Sequence, residues 1–255
     1  MSTAKRGALS TGAAIGAVAS VVSKRFLRGA TLWIGVALAL LPIAQAALIA
    51  SKVRVVDVLL KINLWKLAGA HPRPTDLSWL SGTFGFEMVV LGIVSALVVA
   101  WPVGQDIEDR TATYLWSRPL ARWTILVGKL AVLVPIVLVI FLGSWTAITV
   151  LAKVTPTPAP FIGLAAAVIA ASFVASALAL ALPKHPLVLA LLVLALLDPV
   201  VGAMNGGIAL VTVSYNARVI GGFEDADVVT SVIALIIVAG VWLTLALRRI
   251  AKTEV

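Results

Sequence analysis

Ionisable residues are scarce in this 255-residue chain, so the places where they gather carry most of its chemical information. The densest is Gln105 to Lys129, QDIEDRTATYLWSRPLARWTILVGK, which lies between two long apolar runs. It holds Asp106, Glu108, Asp109, Arg110, Arg118, Arg122 and Lys129. A polar segment this dense cannot sit in hydrocarbon, so it must lie at the membrane surface or in water. Two further acids, Glu87 and Asp198, sit near the ends of apolar runs. Each is either hydrated at an interface or turned toward a pathway. Glu224, Asp225 and Asp227 resemble a loose carboxylate metal site, although a solvated loop is the simpler reading. His71 and His185 are too far apart in sequence to support a metal pair or a triad, and there is no cysteine for thiol chemistry.

Catalytic motifs are missing. Gly128-Lys129 is followed by Leu130 and lacks the upstream glycine of a phosphate-binding loop. Neither a nucleophile elbow nor a metalloprotease helix is present. The chain is therefore expected to hold no cofactor or metal and to catalyse nothing by itself.

The elements that must position these residues follow from composition. Hydrophobic residues make up 61% of the chain, and the mean hydropathy is +1.10. Charged residues make up 12%, against about 25% in soluble domains. These values specify an all-α integral membrane protein, a single domain over 1–255. The net charge of +9 does not argue for nucleic acid, because basic residues at span ends are what orientation in a bilayer requires.

Six spans are expected, at about 30–50, 84–103, 123–150, 161–182, 187–201 and 228–247. Residues 1–29 have basic ends and a Gly/Ala/Ser-rich centre. A cleaved signal peptide is one reading, and a retained cytoplasmic helix on the membrane surface fits the Leu-poor core better. Gly12 and Gly16 form a weak GxxxG pair. Pro42 and Pro135 are candidate kinks. Residues 51–82 form a long connection containing an amphipathic interfacial helix, and Lys153–Pro160 reads as a stiff turn. Pro183-Lys-His-Pro186 predicts an antiparallel hairpin between spans 4 and 5. Asp198-Pro199 interrupts span 5. The Gly- and Asn-broken stretch after it reads as a re-entrant or interfacial piece shielded by protein.

With both termini inside, thirteen basic residues lie on the cytoplasmic side and seven outside. The count favours that orientation and puts the Gln105–Lys129 segment in the cytoplasm, in the cell (inner) membrane. The first outer loop, with five basic residues, is the exception.

The charged segment resembles a stretch in the membrane subunits of type-two ATP-binding-cassette exporters. In that family an acidic pair precedes a Gly-Thr-Leu-like turn, a Leu-Leu-x-x-Pro-x-x-Arg segment and a Gly-Lys entering span 3. Here Glu108 and Asp109 supply the acids, and Thr113, Leu115, Arg118, Pro119, Arg122, Gly128 and Lys129 fall in step. Ala112 and Trp116 depart from the pattern, where Gly and a second Leu are usual. The resemblance implies a coupling helix between spans 2 and 3 that docks on a separate ATPase. Ile107, Glu108, Asp109, Thr113, Leu115, Trp116, Arg118, Pro119 and Arg122 would make the contacts. It also implies two ATPase copies, which bind the ATP and Mg, and a second permease copy or paralogue.

Overall fold

A computed structural model describes residues 11–27, 29–50, 78–108, 122–204 and 206–252. Among them there is no strand, and five helices are long and apolar enough to cross a membrane. The coarse expectation of an all-helical, membrane-embedded chain is met. The segment expected as span 5 is a shorter apolar helix, Pro186–Gly202.

Helix α1, Thr11–Leu27, is followed by α2, Ala30–Ala50. Ala14, Val18, Val22 and Phe26 of α1 fall four apart, so they form one stripe, and that stripe packs inward. Among the described residues Gly12 and Gly16 have no neighbour within 4 Å of a would-be Cβ. Helix α3, Ser78–Ser95, continues through a π-helical turn, Ala96–Ala100, into α4, Trp101–Glu108. Helix α5 is Arg122–Ala152, and α6 is Pro158–Ala181. Helix α7, Pro186–Ala190, passes through the π-helix Leu191–Leu197 into α8, Asp198–Gly202. A 3₁₀ turn, Gly207–Val211, leads to α9, Val213–Ile220, and the last helix, α10, is Val228–Lys252.

The span Trp79–Gln105 (α3 through α4) and α6 form the centre of the bundle, with 78% and 72% of their most apolar stretch buried. Helix α6 earns that place through small residues. A Cβ on Gly163 would lie 2.5 Å from the Ala217 carbonyl oxygen, so only glycine lets α9 come this close. At the periphery, α10 is 11% buried and exposes Val229, Ile233, Ile236, Ile237 and Val241, an apolar face suited to lipid.

Several boundaries differ from the sequence reading. The second span begins at Ser78 rather than near Phe84, because Leu80 and Thr83 are buried and Thr83 bonds back to the Trp79 carbonyl. The fourth begins at Pro158, where proline is tolerated at the first helical position. Before it, Lys153 (φ 55°) ends α5, with the Val154 N–H donating to Thr149 O. The last helix runs on to Lys252. Helices α2 and α5 pass Pro42 and Pro135 without a break in assignment. Asp198-Pro199 likewise does not interrupt its helix. Pro199 crowds the carbonyl four residues earlier, and the π-widened turns at Leu191–Leu197 lie where that crowding falls. The amphipathic helix expected in the 51–82 connection lies outside the described residues.

Candidate functional site

Of the residues assigned to the charged segment, Ile107 and Glu108 close α4 and Arg122 opens α5. Asp109, Thr113, Leu115, Trp116, Arg118 and Pro119 lie outside the described residues. The stems on either side are described. The Lys129 ammonium is 5% exposed and donates to the Pro102 carbonyl oxygen at 2.6 Å. Pro102 heads α4 and Lys129 lies about two turns into α5, so this bond fastens the two stems at one level. Two close approaches add to it. A Cβ on Gly104 would meet the Pro186 ring at 2.4 Å, and one on Gly128 would meet Val18 at 2.9 Å and Ile15 O at 3.1 Å. Both stems are thus seated against neighbours, on α7 and on α1 respectively. Trp101 is exposed, and its Nε1 donates to Gln105 Oε1 at 3.1 Å.

Asp198 occupies a second site. Its carboxylate accepts from Val213 N at 2.6 Å and Ser214 N at 2.9 Å, and the Ser214 hydroxyl donates to the Asp198 carbonyl at 3.1 Å. These amides open α9 and have no partner within that helix, so the acid caps it from across the turn. The knot continues with Asn216 Nδ2, which donates to Leu210 O and Thr212 O, and with Arg218. The Arg218 guanidinium donates to Gly202 O at 2.7 Å and pairs with Glu224 at 3.4 Å. Sequence reasoning named Asp198 but missed Thr212, Asn216 and Arg218. The only available signal was their helical spacing (212, 216) beside Gly pairs. Asp198 is therefore engaged in holding the broken segment to α8.

The acidic cluster resolves into separate duties. Glu224 pairs with Arg218, and Asp227 caps α10 by accepting from Val229 N, Thr230 N and the Thr230 hydroxyl. Those bonds, led by the Thr230 hydroxyl, hold the Asp227 carboxyl below its ordinary range. Among the described residues no group of acids and histidines is arranged to hold a metal.

Glu87 is the third site, and its setting differs from the hydrated span end considered from sequence. Because α3 begins earlier, the middle of the 27-residue span Trp79–Gln105 falls near Gly92. Glu87 is then roughly 7.5 Å from that middle along the axis, within a hydrocarbon half-thickness of about 15 Å. It is 0% exposed, and neither carboxylate oxygen has a hydrogen-bond partner. On its own helix it is flanked by Phe84, Met88, Val90 and Leu91, all buried. Phe84 stacks edge-on against Trp145 with centroids 5.1 Å apart and lies 4.6 Å from Phe223. Ser144 is the polar side chain beside the carboxyl, but its hydroxyl donates to the Ala39 carbonyl at 3.2 Å. A scan of the chain against protein-family models gives no match, and neither does a search of the curated proteins.

Proposed function

We propose that the chain is the permease subunit of an ATP-driven exporter of the type-two ATP-binding-cassette kind. In this reading it lies in the cell membrane with both termini cytoplasmic. Residues Gln105–Lys129 dock on a separate ATPase, present in two copies, and a second permease copy or paralogue completes the pathway. The observation that carries the reading is the motif itself, Glu108-Asp109 through Arg118-Pro119 to Gly128-Lys129. The stems support it. A docking segment transmits force only if its ends are tied to the bundle, and the Lys129–Pro102 bond is such a tie. ATP binding would close the ATPases and move the segment, shifting the permease between two packings.

Copurification tests the proposal. Glu108→Arg and Arg118→Glu are expected to weaken association with the cognate ATPase by roughly tenfold or more each, the scale of an interface charge reversal. Intact association in both variants would remove the coupling role.

The burial of Glu87 favours a second reading, a gradient-driven transporter, since an intramembrane acid marks a functional site by default. Uncouplers that stop transport while ATP depletion at a held gradient does not would select it.

A further inference from the structure

An ionised carboxylate removed from water and left without partners costs several kcal/mol, so it acquires a counter-charge or a proton. We infer that Glu87 is a proton-binding site of the bundle, holding one proton on its carboxyl group in this packing.

The inference rests on what surrounds the group. Glu87 is the sole ionisable residue on α3. Helices α2, α6 and α7 and the π-helix Leu191–Leu197 pack against α3 and bring no charged residue. The remaining neighbours among the described residues bring charges that are engaged, exposed or distant, the 221–227 loop carrying the exposed Asp225 beside Glu224 and Asp227. Asp198 of α8 accepts from Val213 and Ser214, and Arg218 of α9 bonds Gly202 O and Glu224. Tyr215 is the other titratable group on α9. Arg122 and Lys129 of α5 are about 33 Å and 22 Å along that helix from Ser144. Ser144 itself has one hydroxyl proton, directed at Ala39 O. A single O–H cannot satisfy the several lone pairs of an ionised carboxylate.

The size of the occupant follows from the packing. Phe84 and Trp145 are 0% and 1% exposed, with ring centroids at contact distance one turn from the acid. That layer suits a hydron rather than a hydrated metal ion or an organic cation. Binding forms one O–H bond on a carboxylate oxygen with a proton from water. Release is the reverse, and nothing is oxidised. The proton is held whether an ATPase or a gradient drives transport, so the inference does not rest on the exporter reading.

The test uses the full chain in lipid vesicles near neutral pH. Infrared spectra of the wild type are expected to contain a protonated carboxylic C=O stretch that disappears in Glu87→Gln. The neutral isosteres Glu87→Gln and Glu87→Met are expected to unfold within about 4 °C of the wild type. A spectrum with no protonated carboxyl lost on Glu87→Gln overturns the inference. So does failure of both isosteres to fold, because the site would then need a charge.

Discussion

Among the described residues two acids lie in the apolar core, and the bundle treats them in opposite ways. Asp198 faces the open end of α9 and accepts two backbone N–H groups. Glu87 is surrounded by rings and aliphatic groups and accepts none. The difference is one of backbone, not of residue type. Around Asp198 the chain is broken, so unpaired amides are available, and an anion there removes two orphan donors. Around Glu87 the packed stretches of α2, α3, α5 and α6 are helical and their amides are already used. A broken backbone can satisfy a buried charge, whereas an intact bundle supplies it nothing. The first acid is therefore part of the scaffold, and the second is available for exchange.

The sharpest way to break the contrast is Asp198→Ala. It leaves the Val213 and Ser214 amides unpaired and removes the link from α8 to α9. A loss of about 3 kcal/mol is expected, read from denaturant unfolding in detergent. Asp198→Asn, which keeps one acceptor oxygen, is expected to recover part of it.

Next in size is Gly163→Val. The added groups would press on the Ala217 carbonyl, which belongs to α9 backbone and cannot give way easily. About 2–3 kcal/mol of destabilisation is expected. A scanning thermal melt with little change would mean that α9 is not seated against α6.

Replacing Lys129 by Met probes the stems. The loss of its bond to Pro102 O leaves a buried carbonyl without that donor, with an expected cost of about 1–2 kcal/mol. On the exporter reading, ATPase stimulation in lipid should fall further than stability does. Equal stimulation at reduced stability would separate the stems from coupling.

The smallest effect concerns Asp227, an exposed acid that contrasts with both buried ones. Its carboxyl is held below the ordinary range, so its contribution is complete above the unfolded value of about 3.9 and disappears as pH falls through the lower folded value. Hydrogen exchange at the first turn of α10 should quicken only in that acid window, and in Asp227→Asn the acid-dependent quickening should be absent.

Much of the architecture was legible in the sequence because it depends on local composition. The apolar runs at 30–50 and 123–150 coincide with α2 and α5 to within two residues, since long hydrophobic segments bounded by basic or polar residues leave little choice of register. The charged segment was legible for the opposite reason, as a break in that composition. Boundaries such as Ser78 and Pro158 were not, because Trp-Leu-Ser-Gly-Thr and Pro158-Ala-Pro160 become helical only through burial of one face and through proline at a helix start.

Composition alone determined that this chain is helical and membrane-embedded, because hydropathy and charge spacing act residue by residue. Only the tertiary structure decided what the two core acids do. Asp198 is a cap because residues fifteen places away, across a Gly-rich break, turn their free amides toward it. Glu87 has no hydrogen-bond partner because α3 extends a further turn and buries it one turn from the Phe84–Trp145–Phe223 ring cluster, drawn from α3, α5 and the 221–227 loop. Both outcomes depend on distance in space between segments remote in sequence, and no local pattern encodes that distance.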